Sequence, residues 1–430
     1  MIRRSLFVKN KIVLGLTAAA IGLSAAQTQA ATFEVGGFDI AFDSTFSYGQ
    51  SIRVEDRDFN LIGKSNNPSF DWTGYNPAIN TIYSSQDVWA QPGSYSNNGD
   101  AGDLNFDSGE TFSKLLKGTH DLSISKDNYG LFTRFMYFYD FELMDGDRAY
   151  VNPTSGQGVD PCDDDDTKEQ SCADIRLLDA YVWANFDLNE GKNPLSIRVG
   201  QQVVNWGEST LISHGINVNP VDIDRLKAPG AELKEAFIPV GMLWASLGLT
   251  ENMTLEGFYQ YQWHETRLPA AGTYFSTNDF AAENGYQQNV QLGFTSNPDI
   301  DLAFLTDNLN NLMATYGQVA ASQGIDPSSA AGQQLLANMY LAYPTKVTLK
   351  GKGYDGKTEP DDGGQYGLRL GMFLPEWNDT EVALYHVNYH SRRPLISGRV
   401  SNFTQASLQQ DLAMIATTEI TSDNVSDLTA

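Results

Sequence analysis

Apolar and polar residues alternate with a period of two over stretches of about ten residues along most of this chain. From Phe38 to Gly49 the even positions are mainly aromatic or aliphatic, and the odd positions are small or polar. This pattern is typical of β-strands with one apolar face, and the length suits a tilted membrane strand of about 9–11 residues. Seven stretches show it clearly: 38–49, 129–141, 178–188, 195–203, 253–264, 366–374 and 383–390. Two weaker stretches bring the prediction to nine strands: 119–126 and 235–249.

The connections between these stretches alternate between short and long. Short turns are expected at 126–128, 189–193, 250–252 and 375–379, and long loops at 55–118, 142–174, 207–234, 265–363 and after 392. Short periplasmic turns and long external loops are characteristic of outer-membrane barrels. The sequence therefore predicts an all-β fold, an antiparallel transmembrane β-barrel with long external loops. A soluble β-sandwich with aromatic residues around its core is the alternative.

The first thirty residues have the pattern of a secretory signal peptide. Basic residues precede an apolar stretch from Ile12 to Ala26, and small residues at Thr28 and Ala30 suit cleavage before Ala31. We therefore expect a signal peptide at 1–30 and a barrel domain at 31–395, exported to the outer membrane of a Gram-negative bacterium. After residue 30 no apolar run is long enough for a helical membrane span.

Two further segments do not fit the strand pattern. Asp301–Gln323 and Ser328–Tyr343 have the apolar spacing of helices, which predicts a helical insertion at about 299–345. Residues 396–430 form a polar tail without an alternating strand. Because nine strands would leave the chain outside the cell, we expect C-terminal truncation or an odd number of undetected strands.

The formal net charge of the chain is −25, with 28 Lys and Arg against 53 Asp and Glu. Nucleic-acid binding requires a basic surface, so this charge argues against nucleic acid as a partner. It fits a surface in contact with outer-membrane lipid and lipopolysaccharide, whose phosphates are bridged by divalent cations.

Two local patterns suggest covalent or metal chemistry in the loops. Cys162 and Cys172 are the only cysteines, and in an exported chain they are expected to form a disulfide, with a metal site as the alternative. Asp103, Asn105 and Asp107 imitate the start of a calcium loop, but Lys114 stands where an EF-hand has its bidentate Glu. The pattern favours a loop held by Asx turns and leaves a weakly bound Ca²⁺ open.

If the apolar faces of the strands meet lipid, the opposite faces line the interior. Leu178 and Tyr385 are then expected on the apolar side. Mixed charges in the interior either pair to hold the barrel in shape or set the selectivity of a conduit. The expected lining residues are Arg134, Asp179, Arg198, Gln202, Glu256, Gln260, Gln262, His264 and Arg369. Ser209 and His214 lack the context of a hydrolase site, so we expect no enzymatic activity.

Several longer motifs resemble those of one family of proteobacterial exported proteins. They are DLNFDSG at 103–109 with TFSK at 111–114, VVNWGEST at 203–210, GIN at 215–217, NPVD at 219–222, PGAELKEA at 229–236 and GTYFSTNDF at 272–280. The family is the domain-of-unknown-function 1302 family, and the resemblance spans about residues 32–395. Members of this family are regarded as outer-membrane barrels and usually continue beyond the length of this chain.

Members are often encoded beside resistance–nodulation–division-type exporters and a second envelope protein. The resemblance therefore implies traffic of small, hydrophobic or lipid-like molecules across the outer membrane. An inner-membrane exporter and a periplasmic or outer-membrane companion protein are the expected partners. The alternative is a non-transporting surface barrel whose acidic loops bind cations or partners.

Overall fold

The computed structural model describes residues 31–73, 85–151, 160–207, 218–282, 289–291, 302–342, 346–348 and 359–393, with residues 395, 410 and 413. The predicted signal peptide at 1–30 lies outside the described residues. So does nearly all of the predicted polar tail at 396–430.

Ten antiparallel strands form one sheet, and each strand pairs with the next one of the sheet along the chain. Their bounds are β1 Ala31–Val35, β2 Phe38–Ile52, β3 Thr111–Lys126, β4 Tyr129–Asp140, β5 Ala173–Leu188, β6 Asn193–Gln202, β7 Val240–Thr250, β8 Met253–Gln260, β11 Gln365–Leu374 and β12 Thr380–Asn388. A separate pair of short strands consists of β9 Asn289–Gln291 and β10 Lys346–Thr348. Among the described residues, β1 and β12 are the two edges of the large sheet.

The prediction of an all-β antiparallel architecture is confirmed, and each of the nine predicted strands is present. For the large sheet the predicted count was one strand short because it missed β1, and the short pair β9 and β10 was also not predicted. Strand β1 has only five residues, too few for a pattern recognised over about ten, and it pairs with the start of β2.

Short and long connections alternate as predicted. Tight turns join the strand pairs β1–β2, β3–β4, β5–β6, β7–β8 and β11–β12 at one end of the sheet. Asp127, Asn189 and Asn378 adopt positive φ in three of these turns, a conformation that Asn and Asp tolerate better than most residues. The four long connections, 53–110, 141–172, 203–239 and 261–364, therefore all leave the sheet at its other end.

The strand register divides the side chains of the sheet between an apolar face and a polar face. Phe42, Leu122 and Thr133 are successive partners on the apolar face, next to the row Ile40, Ile124 and Leu131. On the ten strands, only two Lys, Arg, Asp or Glu side chains lie on this apolar face, and both are near strand ends: Lys114 and Lys126. The polar face carries ten acidic and five basic side chains: Glu34, Asp39, Asp43, Asp121, Asp140, Asp174, Asp179, Asp187, Glu256, Glu381, Lys117, Arg134, Arg176, Arg198 and Arg369.

Two face assignments made from the sequence were wrong. A register shift between Thr133 and Phe135 turns Leu178 to the polar face, where it packs against Met136. Tyr385 pairs with Arg369 and also lies on the polar face, whereas its neighbour Leu384 lies on the apolar face. The alternation in β12 was correct, but both of its faces carry large side chains, so composition did not reveal which face was which.

The two predicted helices of the insertion are present as α7, Leu302–Gln323, and α8, Ala330–Ala342. Tyr316 donates a hydrogen bond to the carbonyl oxygen of Pro327 at 3.1 Å, which ties α7 to the turn before α8, and Gly324 ends α7 with φ +65°. No described helix is long and apolar enough to cross a membrane. The helices are α1 Ser85–Trp89, α2 Ala101–Leu104, α3 Phe141–Asp145, α4 Asp165–Thr167, α5 Ile223–Lys227, α6 Leu233–Ala236, α7 Leu302–Gln323 and α8 Ala330–Ala342.

Gly130 offers a test of the packing on the polar face. A Cβ at this position would lie 2.7 Å from the Trp183 ring and 2.6 Å from the Ile124 carbonyl oxygen. We expect Gly130→Ala to lower the denaturant midpoint of the purified protein by an amount equivalent to about 1–3 kcal/mol. Gly317→Ala in α7 is the matched control, since its Cβ would meet no atom within 4 Å. Equal midpoints for the two variants would contradict this packing.

Candidate functional site

Two arginines of the polar face are each held between two carboxylates. Arg134 donates to both oxygens of Asp121 at 2.7 Å and to Asp179 at 3.1 Å. Such a two-pronged contact fixes the guanidinium plane as well as neutralising charge. The structure thus brings together Arg134 and Asp179, both named from the sequence, and adds Asp121, which lies on one of the two weakly patterned strands.

The second arginine arrangement lies across β8, β11 and β12. Arg369 donates to Glu256 and to Glu381, each at 2.6 Å. Glu256 also accepts a hydrogen bond from the indole of Trp206 at 3.0 Å. Glu256 and Arg369 were both expected on this face, whereas Glu381 was not singled out from the sequence. The positive charge of each arginine is therefore compensated within the sheet itself, and each arrangement has one carboxyl group in excess.

Arg198 lies between these two arrangements and has different neighbours. Its guanidinium carbon is 4.6 Å from the centre of the Trp244 ring and 5.5 Å from that of Tyr181. In the described part of the chain it forms no ion pair, and no hydrogen bond of its side chain is present. The other basic residues of the polar face are all paired with carboxylates: Lys117, Arg134, Arg176 and Arg369.

Closer to the long loops, the polar face is buried beneath them. Gln202 and Gln260 are almost completely buried, and Gln260 accepts a hydrogen bond from Arg392 at 2.8 Å. Burial lowers the pKa of Arg392 to about 10. These glutamines lie on the predicted face but in a packed layer, with Gln260 paired across the strands to Gln365.

Gln262 and His264 do not lie on a strand, because β8 ends at Gln260. Their place in the lining of the interior stays a prediction. Gln262 lies beyond the strand and accepts a hydrogen bond from the backbone N–H of Gly241 at 3.2 Å. His264 contacts the carbonyl oxygen of Glu265, and burial lowers its pKa. Apolar and polar residues continue to alternate after the end of β8, so the sequence pattern could not show where the strand ends.

Residues 218–239 pack onto the polar face, and we call them the inner segment. Glu235 of this segment forms a buried ion pair with Lys117 of β3 and accepts a hydrogen bond from Thr119 at 2.8 Å. Lys117 also donates to the carbonyl oxygen of Gly230 at 2.7 Å. Both charged side chains are at least 96 % buried, with exposures of 4 % and 2 %. A buried pair of this kind holds the segment against the sheet in one position.

A second ionic cluster, the junction, joins the inner segment to β5 and two other loops. Asp222 pairs with Arg176 of β5 at 2.8 Å and caps α5 by accepting from the backbone N–H of Arg225. Asp224 is buried and accepts hydrogen bonds from Ser171 at 2.5 Å and from Gln170 at 2.8 Å. Burial and the nearby carboxylate of Asp222 raise the pKa of Asp224.

The guanidinium of Arg225 lies within the junction beside Phe138, 3.9 Å from its ring centre. It donates to the carbonyl oxygen of Ser171 at 3.0 Å, and burial lowers its pKa. Neither the junction nor the Lys117–Glu235 pair was predicted from the sequence. Asp222 and Glu235 do belong to the motifs NPVD and PGAELKEA, so the motifs carried a signal for them.

The three residues of the calcium-loop hypothesis each contact a different partner in the structure. Asp103 pairs with Arg53 at 2.5 Å, and Asp107 pairs with a different arginine at 2.9 Å. The side-chain amide of Asn105 donates to the carbonyl oxygen of Gly272 at 2.8 Å. Within the described ranges, no group of three or more His, Cys, Asp or Glu could hold a metal ion. A calcium ion at this loop stays a prediction without geometric support.

The predicted disulfide between Cys162 and Cys172 is present. Cys172 is buried with Phe106, Phe112 and Leu143, so the bond helps to close the loop between β4 and β5 over apolar side chains. Ser209 and His214 lie outside the described residues. The expectation of no enzymatic activity stays a prediction.

The Lys117–Glu235 pair can be tested by comparing single and double variants. Removing one partner leaves the other charge buried and unpaired, so we expect Lys117→Met alone to destabilise the protein by about 3–5 kcal/mol. The double variant Lys117→Met with Glu235→Leu should recover most of that loss. Denaturant midpoints and protease cleavage within residues 218–239 report the two effects. Additive losses in the double variant would contradict a buried pair.

The junction predicts a pH dependence with a definite sign. Because burial raises the pKa of Asp224, its protonated form is favoured in the folded protein. Its contribution to stability is thus present below the ordinary pKa of an Asp and is lost as the pH rises through the raised value. We expect Asp224→Asn to be more stable than the native protein at neutral pH and equal to it in acid. A stability difference that stays constant with pH would contradict this assignment.

Residues 11–426 match the protein family described as "Protein of unknown function (DUF1302)". No curated protein and no solved structure matches the chain. The family match covers nearly the whole chain and includes every motif on which the resemblance was based. The chain therefore belongs to the DUF1302 family.

Proposed function

We propose that the ten-stranded sheet is part of the wall of an outer-membrane β-barrel through which small, hydrophobic or lipid-like molecules pass. The observation that carries this proposal is the segregation of charge between the two faces of the sheet. Charged side chains fill the polar face, whereas the apolar face has its two lysines near strand ends. A lipid-exposed Arg or Lys at the bilayer midplane would be unfavourable by about 2–4 kcal/mol, so the segregation suits one face in lipid and the other in water.

Exposure of large apolar side chains supports the same orientation. Ile175 on β5 is 78 % exposed, and Leu384 on β12 is 62 % exposed. The exposed apolar side chains are thus spread over distant strands of the apolar face. The largest apolar patch of a soluble monomer is usually about 300–600 Å², and a whole exposed sheet face exceeds this. Contact with lipid removes this apolar surface from water.

Aromatic side chains lie at both ends of the apolar face. Tyr48, Tyr259 and Tyr366 are exposed at the end of the long loops, and Tyr129 and Trp377 are exposed at the end of the tight turns. Aromatic rings with polar edges are enriched where a membrane meets water. Two such girdles are separated by strands of about the length that spans the hydrocarbon core.

A matched pair of arginine substitutions tests the orientation. Val182 lies on the apolar face of β5, and Ser196 lies on the polar face of the adjacent β6. We expect Val182→Arg to reduce folded protein in the outer membrane strongly, since it places a charge in lipid, while Ser196→Arg assembles like the native chain. Cell fractionation and the gel mobility of boiled and unboiled samples measure this. Equal assembly of the two variants would place both faces in the same solvent.

Passage itself is tested with the purified full-length protein in liposomes. Conductance or uptake of a small solute supports a conduit, and its acceleration by a co-reconstituted inner-membrane exporter would support that partner. Liposomes that contain folded protein but show neither conductance nor solute uptake would overturn the proposal of a conduit.

A second candidate function is a non-transporting surface barrel whose acidic loops bind cations or partners. The observation that favours it is the inner segment, which lies on the polar face and is anchored by Glu235 and Asp222. An inner segment that never moves would block the interior. Folded protein that conducts nothing, together with binding that depends on the long loops, would favour this function over passage.

A further inference from the structure

Aromatic rings cover the middle of the polar face around Arg198. The Trp183 ring occupies the space where a Cβ of Gly130 would stand, and the Phe258 ring does the same at Gly367. Both rings can lie along the sheet because the neighbouring strand has no side chain at that point. Rings that lie over the glycines of a neighbouring strand offer an apolar surface on which an apolar chain or another ring can pack.

Arg198 is directly paired in register with Trp183 on one side and with Trp244 on the other. Tyr181 extends the aromatic surface toward the loops, and Phe132 lies next to it at 5.4 Å between ring centres. These rings and Arg198 are half-buried, whereas Met242, in the next row toward the long loops, is fully buried. The aromatic surface thus lies at the border between the half-buried middle of the polar face and the part that the long loops bury.

The way in which Arg198 is held leaves its hydrogen-bonding capacity available. Aromatic rings provide no oxygen acceptor, so a guanidinium held beside rings keeps its five N–H donors available for a ligand. Arg134 and Arg369 direct theirs to carboxylates. Arg198 has aromatic neighbours instead, so its charge is oriented and partly desolvated but not neutralised by a carboxylate in the described structure.

From this arrangement we infer that Arg198, Tyr181, Trp183 and Trp244 form a binding site for an anionic amphiphile. The carboxylate, sulfonate or phosphate head would accept hydrogen bonds from Arg198, and the apolar body would lie on the indole and phenol rings. This inference rests on the proposed function and specifies the class of molecule that would pass. A neutral apolar molecule would find the rings but would leave the guanidinium without a partner, and a small inorganic anion would gain nothing from the rings.

The test uses the full-length protein in bilayer discs of a zwitterionic phospholipid. The probe is 9,10-dibromooctadecanoate, whose bromine atoms quench tryptophan fluorescence on contact, and its uncharged methyl ester is the ligand control. We expect quenching by the carboxylate to saturate and quenching by the ester to rise only with its concentration in lipid. The saturable part should disappear when Trp183 and Trp244 are both replaced by Phe.

Variants at the arginine assign the head group. Hydrogen bonds to charged groups contribute enough that Arg198→Gln should weaken binding of the carboxylate about tenfold or more. Arg198→Lys keeps the charge but loses the planar fork, so it should bind with intermediate affinity. Binding by this variant would show that the position can be substituted without loss of folding. Arg393→Gln removes an exposed arginine away from the polar face and should bind like the native protein.

A brominated anionic phospholipid in the disc identifies the source of the ligand. Saturable, Arg198-dependent quenching by this lipid assigns the head to a membrane phospholipid, and quenching only by the free carboxylate assigns it to a single-chain acid. Equal quenching by acid and ester, or unchanged affinity in Arg198→Gln, would overturn the inference. Conductance of the same purified protein in a planar bilayer, which separates two aqueous compartments, distinguishes the two proposals. A conducting protein without the saturable site loses only this inference, and a binding protein that does not conduct loses the proposed passage.

Discussion

In this chain, side chains that alternate at every residue give one sheet an apolar face and a polar face. Phe42 and Asp43 are neighbours in the chain, yet one lies among aliphatic side chains and the other in a row of carboxylates and hydroxyls. A shift of one residue in any strand would exchange the two faces, so the charges fix the register as firmly as the apolar residues do. The ion pairs of the polar face depend on this register, because Arg134 and Asp121 meet only as direct partners across β3 and β4.

The polar face changes in character from the tight turns to the long loops. Near the turns it carries exposed acids such as Asp39 and Asp187, and in the middle it carries arginines held by carboxylates or by rings. Beneath the loops it is packed, with Gln260 fully buried and Glu235 of the inner segment bound to Lys117. A molecule moving along this face would meet water first, then the aromatic surface, and then a segment held by ionic contacts. The proposed passage therefore requires the ionic contacts of the inner segment to open.

Much of the fold was predictable because a strand with one apolar face has apolar and polar residues in alternation along its sequence. The tight turns, the helical insertion and the Cys162–Cys172 bond followed from local chemistry. Irregular features were not predictable: the bulge that turns Leu178 inward leaves no mark on an otherwise regular alternation. The partners of the charged residues were also hidden, because Lys117 and Glu235 are 118 residues apart and only the folded chain brings them together. The sequence could name Arg198 as an interior residue but could not show that its neighbours are rings.

The most direct test of the orientation of the sheet is spin-label accessibility along β6, with the protein in lipid bilayers. Single labels at Leu195, Ile197 and Val199 should collide with oxygen, which concentrates in lipid, and labels at Ser196 and Arg198 should collide with a water-soluble nickel complex. We expect the two accessibilities to oscillate with a period of two and in opposite phase, as the register of β6 requires. Accessibilities without this period, or nickel contact at every position, would contradict a sheet with one face in lipid.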